Sequence, residues 1–182
     1  VLNPKFVNRI PVELNNSFKL CDTDNNFSGI TVKPFAVPGK VALWMEDESK
    51  GKNFGSVEED TIALEVSDAN QKFFYIPACA SIPDWLLKKL DNSELIFFDG
   101  TLWQDDEMIK QNVGIKTGKR MGHISMSGKD GSIEILNKIN LKRKIFIHIN
   151  TTNPSLLENS KERKIAKESG WEVAFDTMEI EL

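Results

Sequence analysis

The sequence predicts an α/β domain in which helices cover a mixed sheet, and three observations lead there. Apolar residues alternate with period two through residues 30–76, the period lengthens to about 3.6 after Pro77, and two short apolar runs, Leu95–Phe98 and Ile145–Ile147, each follow a helical segment. Antiparallel strands followed by alternating helix and strand are the order of one half of a layered α/β or α+β domain.

From Ile30 to Glu46 the pattern is extended: Ile30-Thr31-Val32-Lys33-Pro34-Phe35, a Pro38-Gly39 turn and Val41-Ala42-Leu43-Trp44-Met45 read as a hairpin. Residues 1–29 read as an irregular polar lead-in, and residues 47–60, acidic and aperiodic, as an exposed loop. A second strand pair, 61–66 and 72–76, is joined through Ser67-Asp68-Ala69-Asn70. Ser81-Ile82-Pro83-Asp84 resembles a capping box, because the Ser81 hydroxyl can accept from the N3 amide and proline is tolerated in a first turn. Leu86, Leu87 and Leu90 then give an apolar face to a helix over 82–91. Leu95-Ile96-Phe97-Phe98 has the continuous apolar character of a strand buried on both faces, and it ends in Asp99-Gly100.

Thr101-Leu102-Trp103-Gln104 can cap a second helix running to about Asn112, with Asp105, Asp106 and Glu107 placed favourably for its dipole. A polar loop carrying Gly114, Gly118 and Gly122 leads to His123. Residues 132–140 predict a third helix and 144–149 a second buried strand. A last charged helix spans 160–169 and stops at Gly170, before short strands at 171–175 and 178–181.

At 182 residues, with 40% hydrophobic and 9% aromatic content, the chain holds one domain with a core of ordinary size. The net charge of -4 comes from interspersed acids and bases, so a nucleic-acid stripe and a polybasic membrane anchor are both disfavoured. No stretch approaches the roughly 18 apolar residues of a transmembrane helix, and no charged-then-apolar leader opens the chain, which favours the cytoplasm. Val1-Leu2-Asn3-Pro4 lacks an initiator methionine and reads as a start in mid-domain. Cys21 and Cys79 have no C-x-x-C spacing and read as free thiols of a reducing compartment.

Both histidines lie beside strand ends or glycine-rich loops. His148 alternates with Phe146 and Asn150 on one strand face, so its ring reads either as a core imidazole bonded to backbone or as a metal ligand at a strand end. His123, in Gly118-Lys119-Arg120-Met121-Gly122-His123, reads either as a surface or capping histidine or as a proton donor and acceptor in a functional loop. Asp99 either caps the turn after its strand, through the amides of Thr101 or Leu102, or orients a catalytic histidine. A zinc or iron ion takes three protein ligands as a rule, and three obvious ones are missing. There is no H-x-H, H-E-x-x-H, cysteine cluster, Walker loop, G-x-S-x-G or G-x-G-x-x-G.

Five phrases carry a resemblance: Lys33-Pro34-Phe35-Ala36-Val37-Pro38-Gly39-Lys40-Val41, Phe97-Phe98-Asp99-Gly100-Thr101-Leu102-Trp103, Met121-Gly122-His123-Ile124-Ser125-Met126-Ser127-Gly128, Phe146-Ile147-His148-Ile149-Asn150 and Gly170-Trp171-Glu172-Val173-Ala174-Phe175-Asp176. Together, over nearly all of residues 30–182, they resemble the coenzyme PQQ synthesis protein B family of the metallo-β-lactamase superfamily. The resemblance implies a four-layer αββα sandwich, of which residues 1–182 supply mainly the second half, the carboxy-terminal portion of a single domain. The His-x-His-x-Asp-His metal motif of that fold's amino-terminal half is not in this sequence.

Carried over residue by residue, the resemblance makes His148 the last metal-ligand histidine, His123 the catalytic-loop histidine and Asp99 the acid that orients it. Hydrolytic relatives have a histidine in the turn held here by Val37-Pro38-Gly39-Lys40 and a metal-bridging aspartate where this chain has Pro77-Ala78-Cys79-Ala80. A two-metal site needs both groups to hold ions about 3.5–4 Å apart, so one transition metal is expected, iron(II) in preference to zinc. The implied function is a step of cytoplasmic PQQ biosynthesis, an iron-dependent hydroxylation of the tyrosine-derived ring of a cross-linked Glu-Tyr precursor. A carrier of PQQ or its precursor toward the periplasm and a metal-dependent hydrolase stand as alternatives. Implied partners are the peptide-derived precursor and other PQQ biosynthesis proteins, with room for a homodimer and no nucleic acid or membrane. Lys40, Lys119 and Arg120 are candidates for binding precursor carboxylates, or solvated loop charges. The fragment alone, short of ligands, is expected to be inactive.

Overall fold

The structure is a computed structural model and describes residues 3–50 and 55–182, so residues 1–2 of the expected lead-in and 51–54 of the expected 47–60 loop lie outside it. Seven strands form one sheet whose spatial order is the chain order: β1 (Phe18–Cys21), β2 (Phe27–Ala36), β3 (Ile62–Ser67), β4 (Lys72–Ile76), β5 (Ser93–Asp99), β6 (Leu141–Ile147) and β7 (Glu172–Val173). β1 to β4 pair antiparallel and β4 to β7 parallel. Parallel neighbours need crossovers, and these carry the helices. α1 (Asp84–Leu90) links β4 to β5; the one-turn α2 (Glu107–Lys110) and α3 (Gly118–Met121) with α4 (Ser132–Leu136) link β5 to β6; α5 (Lys161–Glu168) links β6 to β7.

Alternation along the strands turns Phe35, Ala63, Phe74, Ile96, Phe98 and Phe146 to one face, where Leu86 and Leu90 of α1, Leu136 of α4 and Ala166 of α5 close the core. Trp171 is its largest plug: it stacks on Phe146 with centroids 3.9 Å apart and meets Phe98 edge-on at 6.4 Å. Its indole nitrogen donates to Asn137 at 3.2 Å, so the one polar atom of the ring is satisfied. The opposite face carries Leu64, Tyr75, Phe97 and Ile145 in register, with Phe73 packed edge-on against Phe97 at 5.5 Å. This face is only partly covered, and Tyr75 is 39% exposed.

The mixed sheet and the helices after Pro77 follow the pattern of the sequence, but several elements differ. β2 does not fold back onto 41–45, which holds a 3-10 turn at Leu43–Met45; it pairs with β3, Phe35 opposite Ala63. The Pro38-Gly39 bend lies against Thr61, so close that a Cβ on Gly39 would sit 1.9 Å from the Thr61 hydroxyl, and this contact steers the chain to β3. The lead-in is not wholly irregular, because β1 and the start of β2 occupy it as an exposed edge ribbon. α1 starts after Pro83 without a side-chain cap, and the Ser81 carbonyl instead accepts from the Cys79 thiol.

The second helix shrinks to Glu107–Lys110, because Glu107 turns its carboxylate back onto the amides of Trp103 and Gln104, at 2.6 and 3.1 Å, and Thr101 bonds elsewhere. The glycine loop before His123 contains α3, capped by Thr117 and ended by Gly122 at φ +87°. The third helix stops at Leu136, and residues 178–181 form no strand. α5 is capped by Ser160, whose hydroxyl accepts from the Arg163 amide, and ends before Gly170 as the sequence predicts. Among the described residues no helix is long and apolar enough to cross a membrane.

Candidate metal centre

β4, β5 and β6 run parallel, so their carboxyl ends open on one rim, and the loops leaving them meet there. Backbone bonds lace the loops together: Gly100 N donates to the Ile147 carbonyl at 2.8 Å, Asn150 N to Thr101 at 3.0 Å, Ile124 N to Cys79 at 2.7 Å and Ala80 N to Pro38 at 2.7 Å. Gly100 is needed at the first contact, where a Cβ would lie 2.9 Å from the Cβ of Phe146. Buried Asn153 fastens the loop after β6 by donating to the Gly100 carbonyl at 2.8 Å.

Asp99, the last residue of β5, is fully buried. Its Oδ1 accepts from the Thr101 amide at 3.0 Å and the Thr101 hydroxyl at 2.6 Å. Its Oδ2 accepts from the Cys79 amide at 2.9 Å and lies 2.8 Å from His123 Nδ1. Both roles open to it in the sequence, turn cap and histidine partner, are therefore realised, one on each oxygen. Four partners occupy the lone pairs of this buried carboxylate and leave it little capacity for a metal.

The Thr101 hydroxyl, having given its proton to Asp99, accepts at 2.8 Å from Nδ1 of His148. Both imidazoles thus carry their proton on Nδ1, and both Nε2 lone pairs are left for a ligand. The rings lie nearly parallel, 23° apart with centroids at 5.3 Å. The side chain of His123 is 15% exposed and that of His148 53%. Asp99, His123 and His148 offer ligand-type atoms within 4.8 Å of one another, the one such group among the described residues. Because Asp99 is saturated, it stands behind the His123 imidazole and holds its Nδ1.

His148 is not a strand-face residue. β6 ends at Ile147, and His148 adopts φ +54°, which breaks the alternation and turns the ring onto the rim of a cleft of about 360 Å3 shared with Thr101, Met108, Met121, His123 and Asn150. Lys40, Lys119 and Arg120 come together on a second, larger cleft across Gly122. Cys79 is buried and its thiol is pushed up to about 12, by burial first and by the Asp99 charge second, so it is no thiolate ligand. Cys21 is exposed, and both cysteines are free. Thr101 escaped the sequence reading because a threonine two residues after an aspartate reads as a local cap, whereas its histidine partners lie 22 and 47 residues away.

A model of the β-lactamase superfamily domain matches residues 1–149. The chain belongs to this family. Superfamily members named coenzyme PQQ synthesis protein B match all of it, at 48% identity in Xanthomonas euvesicatoria pv. vesicatoria and 46% in Bradyrhizobium diazoefficiens. The chain spans 58% and 59% of the length of these relatives. Zn(2+)-bound PqqB from Methylobacterium extorquens, 40% identical, superposes with a TM-score of 0.84 over 94% of this chain and 55% of that one. The metallo-β-lactamase fold protein YhfI from Bacillus subtilis, 12% identical with a TM-score of 0.57, shares the β-lactamase superfamily fold alone.

Proposed function

We propose that this chain completes a mononuclear metal site, iron(II) in preference to zinc, in a protein of PQQ biosynthesis that hydroxylates the tyrosine-derived ring of the cross-linked Glu-Tyr precursor. The observation that carries the reading is the pair of imidazoles whose Nδ1 atoms are held from behind, His123 by Asp99 and His148 by Thr101, with Nε2 left toward an open cleft. Identity of 48% to coenzyme PQQ synthesis protein B supports the pathway. The zinc-bound relative supports a metal.

In this reading His148, at the exposed rim, is the metal ligand, and His123, deeper and paired with Asp99, takes a proton from the substrate on Nε2. Asp99 fixes the tautomer and stabilises the imidazolium. Iron(II), when bound, supplies the redox chemistry that activates dioxygen. One imidazole nitrogen falls short of the three ligands such an ion takes, so the others come from outside this chain, and the chain alone is inactive. A second metal finds no support, because the 37–40 and 77–80 turns carry no histidine or carboxylate and Cys79 keeps its proton.

Reconstitution of the purified full-length protein with iron(II), precursor, dioxygen and a two-electron reductant such as ascorbate, so that one oxygen atom enters the ring as hydroxyl and the other leaves as water, tests the proposal. A product heavier by one oxygen atom, abolished by His148→Ala, is expected. Saturable PQQ binding without such a product would sink the hydroxylase and leave a carrier. Phosphodiester cleavage with two divalent ions supplied would make the protein a hydrolase instead.

A further inference from the structure

The larger cleft, about 640 Å3, has a cationic wall made by Lys40, Lys119 and Arg120, with Glu58 its lining acid and Trp85 and Gly122 at its edges. Gly122 precedes His123, so this cleft and the imidazole cleft flank one short loop. The loop cannot easily be remodelled, because Gly122 is left-handed and a Cβ there would press to 3.0 Å from the Cβ of Lys40.

Against this wall the protein lodges a carboxylate of its own. Arg120 holds Glu46 side-on, Nη1 to Oε1 at 3.0 Å and Nη2 to Oε2 at 2.7 Å. Lys40 bonds Oε1 as well, and Lys116 stands 3.7 Å from Oε2. A two-pronged fork is the geometry by which arginine recognises carboxylates. The Glu46 side chain is only 9% exposed, yet its neighbours Trp44 and Met45 are 86% and 62% exposed. No apolar anchoring of the turn comes from those two residues, and among the described residues the Glu46 carboxylate ties it to Arg120 and Lys40. Among the described residues Lys119 makes no side-chain ion pair, and the three lining cations outnumber Glu58 and Glu46 together.

We propose that this cleft binds a ligand bearing two or more carboxylates, one of which replaces Glu46 in the fork of Arg120 while another meets Lys119. Glu46 is then a built-in competitor that keeps the fork shaped between ligands. The proposal deepens the reading of the adjacent histidine pair as a reaction site, and rests on it only for what the bound ligand would undergo.

Calorimetric titration of the purified, metal-free protein with tricarballylate at constant ionic strength tests it. Saturable binding is expected, with acetate and inorganic phosphate at least about tenfold weaker. Glu46→Gln removes the internal competitor and should tighten binding by about tenfold. Arg120→Lys keeps the charge but loses the fork, and should weaken it by about tenfold. Glu48→Gln removes the same charge outside the fork and should change affinity less than about twofold. Lys119→Ala, on an exposed side chain, should weaken binding without unfolding the protein. The proposal is overturned if wild type and Glu46→Gln both fail to bind, if Glu46→Gln gives no tightening or Glu48→Gln matches it, or if phosphate binds as tightly as tricarballylate. Calorimetry without metal needs no turnover, so failure of the hydroxylation assay leaves this result standing, and the converse holds.

Discussion

The Thr101 hydroxyl oxygen lies 2.8 Å from Nδ1 of His148 while its proton goes to Asp99 at 2.6 Å, so one small side chain fixes the ring of the exposed histidine. Thr101→Val keeps the shape and removes the hydroxyl. Orphaning the buried partners should cost about 1–3 kcal/mol, and the His148 proton should no longer be confined to Nδ1. Nitrogen chemical shifts of the imidazole report the tautomer directly, and Thr101→Ser should restore it. Unchanged shifts in the valine variant would refute the assigned role.

Asp99→Asn tests the other imidazole. An asparagine has one acceptor oxygen where Asp99 uses two, against the amides of Cys79 and Thr101, the Thr101 hydroxyl and His123 Nδ1. With its amide turned to His123, the ring must accept on Nδ1 and carry its proton on Nε2, the inverse of the present state. Proton transfer by His123 should then fall by at least about a hundredfold, and stability by about 1–3 kcal/mol. Activity and the His123 tautomer should change together; an inverted tautomer with undiminished turnover would remove His123 from the chemistry.

What the sequence reveals about this site divides by range. β4, α1, β5 and α5 are legible because their periodicity and punctuation are local, as in Leu86 and Leu90 on one helix face or Gly170 after the last turn. The pairing of β2 with β3 is not, since 41–45 is at least as apolar as 62–67 and only the packing of Gly39 on Thr61 decides. Asp99, His123 and His148 stand out by residue type at strand ends. Thr101 and Glu46 do not, because partners that define them lie far along the chain: Glu46 reads as the last residue of an extended hairpin until Lys116 and Arg120 join Lys40 around it.

His148 pays a backbone cost for its position. At φ +54° it occupies the left-handed region, which disfavours any residue with a Cβ by roughly 1–2 kcal/mol. His148→Gly and His148→Ala both delete the ring and its bond to Thr101, but only glycine relieves the backbone. The glycine variant should therefore be the more stable of the two by about 1 kcal/mol in denaturant titrations. Both should lose affinity for zinc and iron(II) in competition with a chelator. Equal stabilities would mean that the backbone carries no strain there, and retained metal affinity would exclude His148 as a ligand.

Glu46 gives the protein a pH dependence whose sign is fixed. Its carboxyl is lowered from 4.5 to about 2, first by the hydrogen bonds from Arg120 and then by Lys40. The folded state therefore binds fewer protons than the unfolded one as the group titrates, and the stabilisation is complete above about 4.5 and lost as pH falls toward about 2. Melting temperatures of wild type and Glu46→Gln should differ by a constant amount between about pH 6 and pH 8, and the difference should shrink through the window below 4.5. Added salt should narrow it at neutral pH, since the cluster is near the surface and screening weakens it. A difference that persists unchanged down to about pH 2 would show that the Gln variant loses shape complementarity and not charge, and would take the electrostatic anchoring of the 43–50 turn with it.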